Sequence, residues 1–172
     1  LAKTVFNEGI SLFSSFVMLL NFQRFGKMMG LGKILEWSIR DETKHVEGFS
    51  WLFRTVCEEN KRIVTDKLKK DIYEMARIIV DLEDAFIDYV YQDYEIEGRA
   101  KEEVKLYIRY IADRRLVQLG LKENWKIGEN PLPWLDWILN ASNHTNFFEG
   151  KVSEYEVGGL QGENVWTSAK TY

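Results

Sequence analysis

Three side chains in this sequence have the chemistry and spacing to hold a metal ion. Glu42 and His45 stand three positions apart in Glu42-Thr43-Lys44-His45. On a helix that spacing puts a carboxylate and an imidazole on one face, a turn apart, where each can offer one atom to a divalent ion. The third is Glu8, set between Val5/Phe6 and Ile10/Leu12/Phe13. An ionised carboxylate among such neighbours needs a metal or a cationic partner, so a salt bridge to Arg or Lys of a neighbouring helix is the alternative. By itself Glu-x-x-His is a weak signal, common by chance on solvated helix faces. Asp41 lies beside Glu42 but about 100° around the helix. It can accept the free N–H of a ligating histidine or pair on the surface with Arg40 or Lys44, and the residues alone favour the ion pair.

The elements that must position these groups are helices. Only two prolines occur, Pro131 and Pro133, so long helices can run through the first 125 or so residues. A first helix is predicted from Leu1 to about Phe25, ending near Gly26. A second runs from about Leu31 to Asn60, with Ile34, Leu35, Ile39, Val46, Phe49, Leu52, Phe53 and Val56 at helical spacing. A third, about Thr65 to Tyr94, carries the stripe Leu68, Ile72, Met75, Ile79, Leu82, Phe86 and Tyr89/Val90. A fourth, about Ala100 to Leu119, closes at Gly120. Long helices with short connections imply an all-α bundle of mostly antiparallel neighbours. Lys126 to Asn146 reads as an irregular cap or a short helix across the bundle. From Glu149 the composition turns glycine-rich and polar, as in a flexible tail. Dinuclear carboxylate bundles take one Glu from each of two helices and a Glu-x-x-His from each of two others. This chain supplies one of each, half of a set.

Composition narrows the classes. The 172 residues are 45% hydrophobic and 29% charged, as in an ordinary globular domain. A net charge of −4 argues against a nucleic-acid partner. The single Cys57 reads as a small core residue and points to a reducing cytoplasm. The apolar run from Val5 to Phe25 resembles a membrane span, but Asn7, Glu8, Ser11, Ser14, Ser15, Asn21 and Gln23 interrupt it, so a helix buried within a bundle is preferred. The chain begins at Leu1 and enters a helix at once, so further residues are expected upstream.

Five ordered segments resemble one family. Ser38-Ile39-Arg40-Asp41-Glu42-Thr43-Lys44-His45 resembles the SxRDExxH signature of the class I ribonucleotide reductase small subunit, and Glu8 stands at the spacing of that family's lone glutamate ligand. Tyr107 to Leu116, with Leu119-Gly120, is similar to its YIxxxADRxLxxLG helix. Asn130-Pro131-Leu132-Pro133-Trp134 resembles its NPxPW element. Thr145-Asn146-Phe147-Phe148-Glu149 with Val152-Ser153-Glu154-Tyr155 resembles its TNFFExxVxEY segment.

The resemblance implies a ferritin-like helical bundle, here partial, over residues 1–148, and a tail over 149–172 that docks on the large subunit. It implies Glu8, Glu42 and His45 as three of six ligands to a dinuclear iron or manganese/iron cluster. It makes Asp41 a supporting aspartate, reversing the preference for the ion pair. Tyr155 becomes the tail tyrosine that relays a radical, Glu149 a tail glutamate implicated in that step, and Tyr172 the end of the docking peptide. Leu12 and Phe16 fall where the family lines the metal pocket with apolar side chains. The implied activity is ribonucleoside-diphosphate reduction, with a small-subunit dimer as the working form.

The other half-site is missing from the sequence. The remaining histidine, His144, is not in a Glu-x-x-His, and Tyr73, Tyr89, Tyr91 and Tyr94 follow the second helix, in the wrong order for a radical tyrosine. A split subunit, with a separate chain bringing the amino-terminal helices, is the preferred expectation. A processed or partial product and a homodimer pairing two half-sites are the alternatives. An isolated chain is expected to be inactive. The rival reading is a non-catalytic helical remnant, and a di-metal oxidase acting on a small molecule is disfavoured by the docking tail.

Overall fold

The structure is a computed structural model that describes residues 1–93 and 95–136. Among these residues there is no strand, only an isolated bridge between Ile96 and Arg99. The helices are α1 (Ala2–Gly9), α2 (Phe13–Leu20), α3 (Met29–Glu59), α4 (Asp66–Val90) and α5 (Lys101–Gln118), with 3-10 turns at Asn21–Phe25 and Lys61–Ile63. The all-α expectation holds.

Each long helix starts and stops for a local reason. Thr65 caps α4 by accepting the Leu68 N–H at 3.1 Å. The Glu103 carboxylate reaches back to the Ala100 N–H at 3.4 Å, at the start of α5. At its other end Gly120 takes φ +82°, letting Leu121 N–H reach the Leu116 carbonyl and Gly120 N–H the Val117 carbonyl, both at 2.9 Å. The third predicted helix is shorter than expected: α4 ends at Val90, and Tyr94 lies outside the described residues.

The first predicted helix is not one helix. It breaks at Ile10–Leu12 into α1 and α2, with Leu12 in the left-handed region at φ +74°. Ala2–Phe25 is long and apolar enough to cross a membrane, but 61% of its most apolar stretch is buried against the other helices, as in a core helix.

The core is built from the inward stripes of all five helices. Val5, Phe6 and Ile10 meet Val46 of α3, Ile72, Val80 and Ile87 of α4, and Ile108 and Leu116 of α5, all almost wholly buried. α1 packs on α3, α4 and α5 at once, so it sits at the centre of the assembly. Burying each such side chain contributes about 1.5–3 kcal/mol. Asp113, itself buried, anchors the segment after α5: its carboxylate accepts the N–H groups of Asn124, Trp125 and Ile127 at 2.7, 2.9 and 3.1 Å. Beyond it Leu132 and Leu135 are buried, and the Trp134 ring lies against the Arg24 and Arg99 guanidinium groups at 4.9 and 5.3 Å. The expected cap across the bundle is thus present as far as residue 136. His144, Glu149, Tyr155 and Tyr172, and so the whole tail expected to dock, lie outside the described residues.

Candidate metal centre

Glu8 lies in the last turn of α1, and Glu42 and His45 lie one turn apart on α3, the helix against which α1 packs. The inward stripe of α3 runs through Leu35, Ile39, Val46 and Ser50. Glu42 and His45 flank that stripe, on the border between core and solvent. One ligand atom from each of the three residues can be chosen so that all lie within 4.8 Å of one another. His45 Nδ1 is 3.5 Å from Glu8 Oε2 and 3.5 Å from Glu42 Oε2. These separations are too long for strong hydrogen bonds. Two adjacent ligands on one octahedral ion, with bonds of roughly 2.1 Å, sit roughly 3 Å apart. The His45 contacts exceed that spacing by roughly 0.5 Å.

The donor set fits a metal on a second count. Glu8 Oε2 is buried and has no hydrogen-bond partner among the described residues. Leaving a buried carboxylate oxygen unpartnered costs about 1–3 kcal/mol or more. A divalent cation at the convergence point would remove that cost and supply positive charge to two carboxylates whose one neighbouring ion-pair partner, His45 at 3.5 Å, is charged only when protonated. The cations closest in sequence to Glu42 and His45 are engaged elsewhere, Lys44 with Glu47 at 2.9 Å and Arg40 with Asp41 at 3.7 Å, and Arg115, beside Gly9, donates to the Gly9 carbonyl at 3.0 Å. The alternative of a lysine or arginine partner for Glu8 has no support among the described residues.

The centre is open on one side. The Glu8 and Glu42 side chains are about one-third exposed and His45 is more than half exposed. Asp41 is exposed too, one turn from His45 on α3, and makes no hydrogen bond or ion pair with it among the described residues; its partner is Arg40. Phe16 is buried, edge-on to Phe13 at 5.6 Å, whereas Leu12 is 58% exposed, one turn beyond Glu8.

Two further residues bear on this site, Glu83 outside every motif and Arg115 at a variable position within the Tyr107–Leu116 segment. Glu83 of α4 accepts N–H groups at the helix break, and Arg115 of α5 donates from Nε to the Gly9 carbonyl at 3.0 Å. Burial pulls the Arg115 guanidinium down to about 10, below its ordinary range yet still protonated at neutral pH. Glu83 reads in the sequence as one more acid on a solvated helix face, and only the fold brings it to the break.

Comparison with known proteins follows the same lines. Residues 1–131 match the family described as "Ribonucleotide reductase, small chain". The chain is 46% identical over 164 residues to the probable ribonucleoside-diphosphate reductase small subunit 048L of Invertebrate iridescent virus 3, covering 95% of this chain and 44% of that protein. It is 36% identical over 154 residues to the ribonucleoside-diphosphate reductase subunit beta of Chlamydia pneumoniae, covering 88% and 43%. Among solved structures, the ribonucleotide reductase R2 subunit from Clostridium botulinum superposes with a TM-score of 0.74 at 32% identity, covering 78% of this chain and 43% of that one. The chain therefore spans less than half the length of the relatives it matches.

Proposed function

The chain belongs to the ribonucleotide reductase small-chain family, and from that premise we propose that it contributes half of a dinuclear metal centre to a ribonucleoside-diphosphate reductase. The observation that carries this reading is the meeting of Glu8, Glu42 and His45 around a buried, unpartnered Glu8 oxygen. Glu8 and Glu42 would each offer a carboxylate oxygen and His45 its Nδ1 nitrogen, the ring atom turned toward both acids. Two iron ions, or manganese and iron, would supply when bound the oxidising power that makes a radical for ribonucleotide reduction. The remaining ligands come from helices outside these 172 residues, either a preceding segment or a separate chain. Asp41, which pairs with Arg40 and makes no bond to His45, would then accept from a ligating histidine of that complementary half.

The rest of the proposal concerns residues beyond 136. Tyr155 relays the radical toward the large subunit, Glu149 assists it, and the peptide ending at Tyr172 docks there. The working form is a small-subunit dimer in the cytoplasm.

The test is metal uptake by the chain alone and after mixing with the complementary amino-terminal helices, read by Co²⁺ absorption and by metal analysis. The chain alone should bind weakly, and the complemented protein should bind two ions. His45→Ala should lower affinity by about 10-fold or more. A complemented protein that takes up no metal would leave a non-catalytic helical remnant as the better description.

A further inference from the structure

The break between α1 and α2 is held from outside the segment. In an unbroken helix the Leu12 N–H would bond to the Glu8 carbonyl and the Ser14 N–H to the Ile10 carbonyl. Here the Ile10 N–H keeps its regular bond to the Phe6 carbonyl at 2.9 Å, the Ser11 N–H turns to that same carbonyl at 3.3 Å, and the Ile10 carbonyl accepts the Phe13 N–H at 3.1 Å. The start of α2 is left with orphan donors, and its own cap residue, Leu12, has no side chain that can satisfy them. Glu83 does so from α4. Its Oε1 accepts the Leu12 N–H at 3.3 Å, and its Oε2 accepts the Ser14 N–H at 3.2 Å and the Ser14 hydroxyl at 2.6 Å. A carboxylate at a helix amino terminus also gains from the helix dipole. These bonds offset the strain of Leu12 at φ +74°, which costs a non-glycine residue about 1–2 kcal/mol. On the other side of the break, Arg115 holds the Gly9 carbonyl.

Strain that is held in place by a distant side chain, one turn from a ligand, has a consequence for that ligand. We propose that Glu83 is a positioning residue of the metal centre: by fixing the break it sets where α1 ends and hence where the Glu8 carboxylate meets Glu42 and His45. This rests on the reading of Glu8 as a ligand. Without Glu83 the Leu12 and Ser14 N–H groups lose their acceptor, the break loosens, and the end of α1 that carries Glu8 is no longer held in place.

Co²⁺ titration of the full chain with its complementary helices tests the idea, alongside hydrogen exchange at Leu12 and Ser14 in the metal-free chain. Glu83→Ala should weaken Co²⁺ binding by about 10-fold, alter the Co²⁺ absorption spectrum and speed exchange at both amides. Glu83→Gln, which keeps one acceptor for Ser14, should recover part of the affinity. Asp84→Asn is the structural control: it loosens the neighbouring pair with Arg109 (2.9 and 2.5 Å) and should leave the spectrum unchanged. Wild-type affinity and spectrum in Glu83→Ala would overturn the positioning role, as would an equal spectral change in Asp84→Asn. If the unsubstituted protein takes up no Co²⁺, the metal reading falls and the positioning role with it. Faster exchange would then mark Glu83 as a structural clamp alone.

Discussion

Gly9 is the place where the packing behind the site can be tested most sharply. A Cβ added there would lie 2.6 Å from Arg115 Nε, 2.9 Å from Arg115 Cδ and 3.0 Å from Val46 Cγ2. The first of these is about 0.8 Å short of ordinary contact. An exposed arginine would swing aside, but this one is pinned. Its Nε donates to the Gly9 carbonyl at 3.0 Å, its Nη1 to Gln118 Oε1 at 3.0 Å, and its guanidinium lies 5.6 Å from the Phe13 ring centre. Overpacking at such a site costs about 1–3 kcal/mol, and losing a buried charged hydrogen bond about 1.5–3 kcal/mol. Against these, alanine in a helix gains about 1 kcal/mol over glycine. Some of the strain is relieved when the hydrogen bond gives way, so the two costs overlap. Gly9→Ala should therefore destabilise by about 2 kcal/mol, lowering the thermal midpoint by about 4–8 °C in a chain of this size. Circular dichroism at 222 nm follows the transition. Arg115→Met removes both the hydrogen bond and the rigid group that the new Cβ would strike, leaving a shorter and more pliable side chain. In that background Gly9→Ala should cost at least about 1 kcal/mol less. A Gly9→Ala protein as stable as the wild type, or a cost that the Arg115→Met background leaves unchanged, would refute the reasoning.

Two further outcomes follow from other parts of the chain. Asp113→Asn keeps an acceptor for Asn124 and Trp125 but withdraws the charge and the bond to Ile127, so urea unfolding should show a loss of about 2 kcal/mol with metal uptake unaltered. Tyr155→Phe should abolish nucleotide reduction by the assembled enzyme while leaving its metal content unchanged, and normal turnover in that variant would remove the relay assignment.

The features legible in the sequence were those written in local pattern. Helical periodicity located α3, α4 and α5 to within a few residues, but it placed the inward face of α4 only in part: Ile72 and Ile79 of the predicted stripe are buried, whereas Leu82, Phe86 and Tyr89 are exposed and Ala76, Val80 and Ile87 fill the core instead. Glu42 and His45 were legible because three positions on a helix are a fixed distance. The break at Ile10–Leu12 was not. Neither proline nor glycine marks Leu12, and its left-handed backbone is held by a residue 71 positions away. The available hints were Gly9 inside an apolar helix and the serines at 11, 14 and 15, which compete for backbone hydrogen bonds. Glu83 and Arg115 escaped notice for the same reason. A charged residue on a helix looks solvated until the fold shows which other helix it faces.

The open side of the centre carries its own argument. Ile34, Asp41, His45 and Leu52 are spaced seven, four and seven residues apart, which places them along one face of α3. Ile34 is 56% exposed and Leu52 39%, and a Cβ at Gly48 between His45 and Leu52 would meet nothing within 4 Å. A solvated helix face has no physical reason to alternate aliphatics with an aspartate and an imidazole at this register. A face that received another helix would use each of them: the aliphatics as apolar area, the glycine for close backbone approach, and the polar pair for the chemistry proposed above. Whatever covers Ile34 and Leu52 therefore passes directly over His45 and Asp41. If the completing ligands proposed above were to come on the helix that covers this face, metal loading and burial of Ile34 and Leu52 should be two readings of one association.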